Sequence, residues 1–300
     1  MNKVLITGSS GLVGSRLLEL SSFKNHFLTP TEKDLNISDR ENTSQYLDKN
    51  RPDAVIHLAA YTNVSEAEKQ KGVKDGLCWQ LNVQGTKNII ESLPDSCYFI
   101  QISTDMVFSG DSDDPGPYDE TRKIADLETK VTWYGYTKGL AEKTVRDRFK
   151  DRAVILRLIY PVRAKFKDKM DYLRKPLQLF DQGKLYPMFT DQQISLSFID
   201  EICLVLDKLL QRQSTGIFHA SSSDLTTPFA AVSYLIEKAR NKTRVVQKVS
   251  LEQFLKTVNN PVRYPQFGGL KVWETEKTLG IKFSSWRQII DQLIEQGIEV

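Results

Sequence analysis

The chain has 300 residues, of which 41 are Lys or Arg and 38 are Asp or Glu, and its formal net charge at pH 7 is +3. This balance does not indicate a nucleic-acid-binding protein, and a content of 40% hydrophobic and 26% charged residues is that of an ordinary globular protein. The three cysteines and three histidines lie scattered, without the spacing of a zinc site, so we predict no bound metal.

We expect neither a targeting signal nor a membrane-spanning segment. No basic segment precedes a long apolar run at the N-terminus, and no apolar run is long enough to cross a bilayer. The three cysteines, Cys78, Cys97 and Cys203, are odd in number and far apart, as is typical of reduced thiols. The sequence therefore predicts a cytoplasmic protein without a membrane partner.

The first strand, predicted at residues 3–7, leads directly into Gly8-x-x-Gly11-x-x-Gly14 and a helix predicted over 11–22. A strand, a glycine turn and a helix N-terminus in this order suit the pyrophosphate of a dinucleotide. Gly8 permits the tight turn, Gly11 lets backbone N–H groups approach phosphate oxygens, and Gly14 lets the helix pack on the strand. The pattern also occurs in ordinary glycine-rich turns, although the absence of a Gly-Lys-[Ser/Thr] ending disfavours a nucleoside-triphosphate loop.

The end of the second strand, predicted at 27–29, bears on the choice of cofactor. Thr29, Thr31 and Lys33 are compatible with the 2′-phosphate of NADP, whereas Glu32 is compatible with the free ribose hydroxyl of NAD. We therefore favour NADP and keep NAD as the alternative.

The third strand, predicted at 54–59, ends in two small residues, Ala59 and Ala60, which would let the backbone pass close to a ribose. The helix predicted over 77–92 carries Asn82. Asn82 either belongs to a hydrogen-bond network behind the site or is a buried polar residue satisfied locally.

The fourth strand, predicted at 98–103, is followed by Thr104 and Asp105. Because the carboxyl edge of a parallel sheet faces the ligand crevice, we predict that the Thr104 hydroxyl contacts a substrate carbonyl. The alternative is that both residues only cap the following loop.

A helix predicted over 134–149 places Tyr134 and Lys138 on one face, four residues apart. In many proteins such a pair is only a surface pair. A lysine ammonium near a tyrosine stabilises the phenolate and lowers the phenol pKa. We therefore predict that Lys138 tunes Tyr134, which donates a proton to a carbonyl oxygen as hydride arrives.

The second half of the chain does not continue the regular alternation of strand and helix patterns. After a strand predicted at 153–159, residues 162–190 are basic and irregular, and a helix at 199–211 and a strand at 216–220 follow. The basic run from Arg163 to Arg174 either meets a diphosphate or is a solvated loop. The alternation of elements predicts an α/β fold with a doubly wound parallel sheet of the Rossmann type.

Seven short motifs follow one another within the first 160 residues. They are Thr7-Gly8-x-x-Gly11-x-x-Gly14, Asp34-Leu35-x-Ile37, Ala59-Ala60-Tyr61-Thr62, Asn82-Val83-x-Gly85-Thr86, Ser103-Thr104-Asp105-x-Val107-Phe108-x-Gly110, Pro117-Tyr118-x-Glu120 and Tyr134-Gly135-x-x-Lys138-x-x-x-Glu142. Jointly they resemble the extended short-chain dehydrogenase/reductase superfamily, most closely its dTDP-4-dehydrorhamnose reductase family. The resemblance implies an oxidoreductase that passes hydride from NAD(P)H to a keto group of a nucleotide sugar.

The resemblance also implies roles for individual residues. Thr104, Tyr134 and Lys138 would be the catalytic triad; Lys138 would also bind the nicotinamide ribose, and Asp34-Leu35 would lie near the adenine. The candidate cofactor-binding residues are Gly8, Ser10, Gly11, Leu12, Val13, Gly14, Asp34, Leu35, Ala59, Ala60, Tyr61, Asn82, Tyr134 and Lys138. The candidate substrate-binding residues are Thr62, Val64, Thr104, Asp105, Met106 and Tyr160.

Two departures from the family pattern leave alternatives open. Met106 stands where the family usually has an aromatic residue, and Tyr160 where it usually has a tryptophan. Sugar-nucleotide dehydratases carry a glutamate at the place of Met106, which disfavours dehydration. A nucleotide-sugar epimerase and a non-catalytic, NADP-binding regulatory subunit remain as alternatives.

The domain prediction is an NAD(P)-binding Rossmann domain over 1–160 and a smaller substrate lobe over 161–300, with some of its segments returning to the first domain. Relatives of this family often pair through the helices near 82–92 and 134–149, which makes a homodimer one alternative, and the sequence leaves the oligomeric state open.

Overall fold

The computed structural model describes residues 1–125, 129–257 and 264–300. Its strands are β1 (Val4–Thr7), β2 (Phe27–Leu28), β3 (Ala54–His57), β4 (Tyr98–Thr104), β5 (Ala153–Leu158), β6 (Pro161–Val162), β7 (Met188–Phe189), β8 (Ser197–Phe198), β9 (Gly216–Ala220) and β10 (Lys248–Val249). Its helices are α1 (Leu12–Leu20), α2 (Arg40–Asn50), α3 (Val64–Glu68), α4 (Leu77–Trp79), α5 (Thr86–Glu91), α6 (Trp133–Phe149), α7 (Arg174–Asp181), α8 (Ile199–Arg212), α9 (Pro228–Arg240), α10 (Leu251–Leu255), α11 (Trp273–Leu279) and α12 (Trp286–Glu295). None of the helices in these described ranges is both long and apolar enough to span a bilayer.

The main sheet has six strands in the order β2-β1-β3-β4-β5-β9. Strand β1 pairs in parallel with both β2 and β3, and β3 pairs in parallel with β4. The strand order therefore changes direction between β1 and β3, which is the switch point where open α/β sheets bind ligands. This arrangement confirms the predicted doubly wound parallel sheet.

The chain divides into two compact units, of which the first comprises residues 1–108, 123–157 and 203–218. Its strands are buried because they carry continuous apolar runs, as parallel strands covered on both faces require. Phe99 of β4 stacks on Phe149 of α6 with ring centroids 5.4 Å apart, and both side chains are fully buried. Each such ring contributes about 1.5–3 kcal/mol of burial free energy, so this contact fixes α6 against the sheet.

The second unit comprises residues 109–122, 158–202 and 219–300. It holds two small parallel sheets, one of β6 with β8 and one of β7 with β10. Its core is formed largely by α9 and α12, with Leu235 and Ile289 fully buried. Helix α12 begins at a capping box between Ser285 and Gln288, which satisfies the N–H groups of its first turn.

Candidate active site

The glycine turn after β1 has the close packing that the sequence predicts. Gly8 has a φ of +69°, and a Cβ there would lie 2.8 Å from the backbone N of Ala59. A Cβ at Gly14 would lie 2.8 Å from Cα of Ser9. Helix α1 begins at Gly11 without a side-chain cap and without an acidic residue in its first turn. A helix N-terminus of this kind suits a phosphate group, so these residues fit a dinucleotide pyrophosphate.

The loop after β3 is tied to helix α6 by one buried asparagine. Asn82 lies on a π-turn over Gln80–Gly85, and its Oδ1 accepts the Tyr61 N–H at 2.8 Å. The Asn82 Nδ2 donates to Thr137 Oγ1 at 3.0 Å, and the Thr137 hydroxyl donates to the Tyr134 carbonyl at 2.9 Å. Asn82 is therefore a buried residue that links the loop after β3 to α6, and its role toward a cofactor stays a prediction.

A neutral histidine, which the sequence analysis missed, extends this network to β1. The Thr86 hydroxyl donates its proton to the Asn82 carbonyl, so at His57 it accepts from Nε2–H (3.2 Å). Burial, with the nearby Lys138 charge, lowers the pKa of His57 to about 3, so the ring is neutral and Nδ1 accepts from Thr7 Oγ1 at 2.7 Å. The position of His57 at the end of a buried strand was the only sequence signal for this role.

Three of the predicted residues come together at the start of α6. Thr104 ends β4, and its hydroxyl donates to Asp105 Oδ1 at 3.1 Å and lies near enough to the Tyr134 phenol to lower the pKa of that group. Lys138 lies one turn after Tyr134, and its Nζ donates to the Ile102 carbonyl at 2.6 Å. The sequence therefore identified groups that are adjacent in space although they lie about 30 residues apart.

The pKa of Tyr134 is shifted in the opposite direction to the expected one. Burial, followed by the charge of Asp105, raises this pKa, with only a partial offset from the Thr104 hydrogen bond. Burial lowers the pKa of Lys138 to about 8, and burial raises that of Asp105 to about 7. The reason is that these groups lie in a low-dielectric interior, which disfavours every charged form. Tyr134 is consequently a protonated phenol at neutral pH, which is the form an acid catalyst needs.

Close packing between α6 and the turn after β4 brings Tyr134 to Thr104. A Cβ on Gly135 would overlap the carbonyl oxygen of Met106 and lie 2.9 Å from its carbonyl carbon. The following turn is short, because the Phe108 N–H donates back to the Asp105 carbonyl at 3.0 Å. The backbone carbonyl of Met106 therefore packs directly against α6 at Gly135.

Four further residues of the first unit were predicted to contact a ligand, and the structure gives the surroundings of each: Asp34, Leu35, Thr62 and Val64. Leu35 packs in the hydrophobic core, and the Asp34 carboxylate accepts from the backbone N–H and hydroxyl of Thr31 at 2.9 and 2.7 Å. Thr62 is exposed and Val64 half-buried at the start of α3. Their roles toward a ligand stay predictions.

The second unit contains an aromatic cavity that the sequence analysis largely missed. Its volume is about 710 Å³, and the rings of Tyr160 and Tyr172 stack within it at a centroid distance of 3.9 Å. Tyr160 adopts a φ of +41°, which is unusual for a residue other than glycine. The lining residues are Tyr160, Asp171, Tyr172, Lys175, Pro176, Tyr186, Pro187, Met188, Phe189, Gln192, Pro228, Val249, Phe254 and Tyr264. The run of aromatic and proline residues at 186–189 was the available signal.

The ends of the basic run are buried, whereas Lys165, Lys167 and Lys169 between them are exposed. Arg174 is 1% exposed and donates to Asp171 Oδ2 at 2.7 Å and to the carbonyls of Phe166 and Lys169. Arg163 is 6% exposed, and its guanidinium lies 5.3 Å from the ring centroid of Phe166. Arg174 therefore stabilises the segment itself and is not a solvated cation.

Comparisons with known proteins agree with this geometry. A family model described as RmlD substrate binding domain matches residues 1–298. The spore coat polysaccharide biosynthesis protein SpsK of Bacillus subtilis (strain 168) is 25% identical over 299 residues, which cover 99% of this chain and 98% of SpsK. A dTDP-4-dehydrorhamnose reductase of Aggregatibacter actinomycetemcomitans is 22% identical over 304 residues, covering 98% of each chain. The crystal structure of dTDP-4-dehydrorhamnose reductase from Bacillus anthracis str. Ames in complex with NADP aligns with a TM-score of 0.83 at 24% identity, covering 98% of this chain and 99% of that one.

Proposed function

The chain belongs to the RmlD substrate binding domain family, and from this premise we propose that it is an NADPH-dependent reductase of a keto group on a nucleotide sugar. The observation that carries the proposal is the placement of the buried Thr104 hydroxyl beside the half-buried Tyr134 phenol, with Lys138 one helical turn away. The similarity to dTDP-4-dehydrorhamnose reductases, one of them in complex with NADP, supports the same reaction class.

In this proposal, the residues of the first unit hold the dinucleotide and supply the proton. The glycine turn and the N-terminus of α1 bind the pyrophosphate, and Lys138 contacts the nicotinamide ribose. NADPH bound there would supply the hydride. Thr104 orients the substrate carbonyl, and the Tyr134 phenol protonates its oxygen. The raised pKa of Tyr134 keeps the proton in place until a developing alkoxide draws it off.

We assign the aromatic cavity of the second unit to part of the nucleotide sugar. Its wall is mainly apolar, and Tyr160 and Tyr172 offer stacked rings to a planar group. Thr62, Val64, Asp105 and Met106 are our further candidates for substrate contacts.

The test compares two tyrosine variants on one helix. Tyr134→Phe removes the acid, and we expect turnover of a 4-keto nucleotide sugar to fall about 10²–10⁴-fold, with the NADPH dissociation constant unchanged. Tyr136→Phe is the matched control, because this ring stacks on Trp133, and its turnover should equal the wild-type value.

Three outcomes would contradict the proposal in different ways. Full turnover by Tyr134→Phe would remove Tyr134 from the mechanism. Tight NADPH binding without turnover across a panel of keto-sugar nucleotides would favour the regulatory-subunit alternative. Release of a C-epimer without net NADPH oxidation would favour an epimerase.

We also propose a cytoplasmic location and a homodimer. The three cysteines are free and buried, which suits a reducing compartment. Light scattering of the purified protein measures its mass and would refute the homodimer if it returned 34 kDa.

A further inference from the structure

A buried ion pair, which the sequence analysis did not detect, lies directly behind the candidate site. Arg157 donates to Glu142 Oε1 from Nε at 3.0 Å and to Oε2 from a terminal nitrogen at 2.7 Å. The two side chains are 1% and 2% exposed. Ser103 Oγ donates to Glu142 Oε1 at 2.5 Å, and the Arg157 guanidinium lies 4.9 Å from the ring centroid of Phe108. We call Ser103, Glu142 and Arg157 the carboxylate cluster.

One member of the carboxylate cluster, Glu142, lies one helical turn after Lys138 on α6. Glu142 follows Lys138 by four residues on α6, so both side chains lie on one face of the helix. Lys138 is only 4% exposed, and burial opposes its positive charge. The Glu142 charge acts in the other direction and favours the ammonium form.

The other titratable groups that act on Lys138 carry little charge at neutral pH. Burial lowers the pKa of His57 to about 3, so the imidazole is neutral. Burial raises the pKa of the Cys78 thiol, so this group is also neutral. Tyr134, on the same helix, stays protonated because its pKa is raised. Asp105, on the turn packed against α6, is partly charged near pH 7, but it acts on Tyr134. Glu142, although paired with Arg157, is thus the acidic group that favours the ammonium form of Lys138.

We propose that Glu142, held by Arg157 and Ser103, is a positioning residue that keeps Lys138 an ammonium, so that the carboxylate cluster sets the upper pH limit of dinucleotide binding. The inference rests on the proposed role of Lys138 in holding the cofactor. Arg157 is needed because a buried carboxylate without hydrogen-bonded partners would itself be strongly disfavoured. Ser103 supplies the third hydrogen bond without changing the charge.

The test measures the NADPH dissociation constant by fluorescence from pH 6 to 10. Wild-type affinity should decline above about pH 8, where the Lys138 ammonium is lost. In Glu142→Gln this decline should begin at least about one pH unit lower, because the opposing charge is gone. Lys143→Gln is the matched control: it changes the charge of the next residue of α6, which is exposed and lies outside the carboxylate cluster, so its profile should coincide with the wild type.

A double variant covers the case in which Glu142→Gln does not fold. Glu142→Gln combined with Arg157→Gln replaces the ion pair by two amides, and its profile should also shift downward, by less than that of Glu142→Gln because the positive charge of Arg157 is removed as well. An unshifted profile in every folded variant without the Glu142 charge would overturn the inference, and so would an equal shift in Lys143→Gln. If the wild type binds no NADPH at any pH, the proposed function itself fails.

Discussion

Gly135 offers a direct test of the idea that α6 must approach the turn after β4 closely. A Cβ there would overlap the backbone carbonyl of Met106, and a backbone atom cannot rotate away as a side chain does. Overpacking costs about 1–3 kcal/mol, and an overlap with backbone puts Gly135→Ala at the upper end of that range, while exchanging a helical glycine for alanine returns up to about 1 kcal/mol. We therefore expect Gly135→Ala to lower the free energy of unfolding by about 2 kcal/mol.

The effect on activity should exceed the effect on stability. Tyr134 is the neighbour of Gly135, so α6 can accommodate the new methyl group only by moving the phenol away from Thr104. A displacement of about 1 Å at a reacting group costs about 100-fold in rate. The assay is turnover of a keto-sugar nucleotide with NADPH, together with thermal unfolding followed by circular dichroism.

Gly139→Ala, one turn later on the same helix, is the matched control. Among the described residues, its Cβ would lie within 4 Å of the side chains of Ile124, at 3.3 Å, and Val107, at 3.9 Å. We expect this variant to be at least as stable as the wild type and fully active. If Gly135→Ala matched Gly139→Ala in both melting temperature and turnover, the reasoning from close packing would be refuted.

Two further predictions concern the glycine turn and a buried carboxyl. Gly14→Ala should weaken NADPH binding by at least about tenfold, because its Cβ would press on Ser9 Cα at 2.8 Å and open the turn; an unchanged dissociation constant in a titration would contradict the assigned phosphate site. Burial raises the pKa of Asp105 from its usual value near 4 to about 7, so the folded state binds more protons than the unfolded state within that window. The contribution of Asp105 to the free energy of unfolding is therefore greatest below pH 4. It is lost as the pH rises toward 7, with a slope of at most about 1.4 kcal/mol per pH unit. The melting temperature of Asp105→Asn minus that of the wild type should be larger at pH 8 than at pH 5. An equal difference at the two pH values would show that Asp105 is not buried as described.

Features that depend on neighbours along the chain were predictable from the sequence. Apolar runs identified the strands of the first half to within about two residues. The glycine pattern after β1 located the turn, and the backbone can pack closely there because glycine has no side chain. Tyr134 and Lys138 could be placed on one helix face because the helical repeat is fixed. The position of Thr104 after β4, at the carboxyl edge of the sheet, predicted a substrate contact, and the family motifs added its place in the catalytic triad.

Only the tertiary structure decided which groups meet across the chain and how their charges are balanced. Residues 109–122 fold with the second unit although they follow a strand of the first. Glu142 pairs with Arg157, and Arg174 is buried against Asp171 within a run that reads as a solvated surface. The direction of the Tyr134 pKa shift was wrong in the sequence analysis because residue spacing gives proximity but not burial. Local pattern follows from backbone geometry, whereas the energy of a charge follows from its surroundings, and these exist only once the chain has folded.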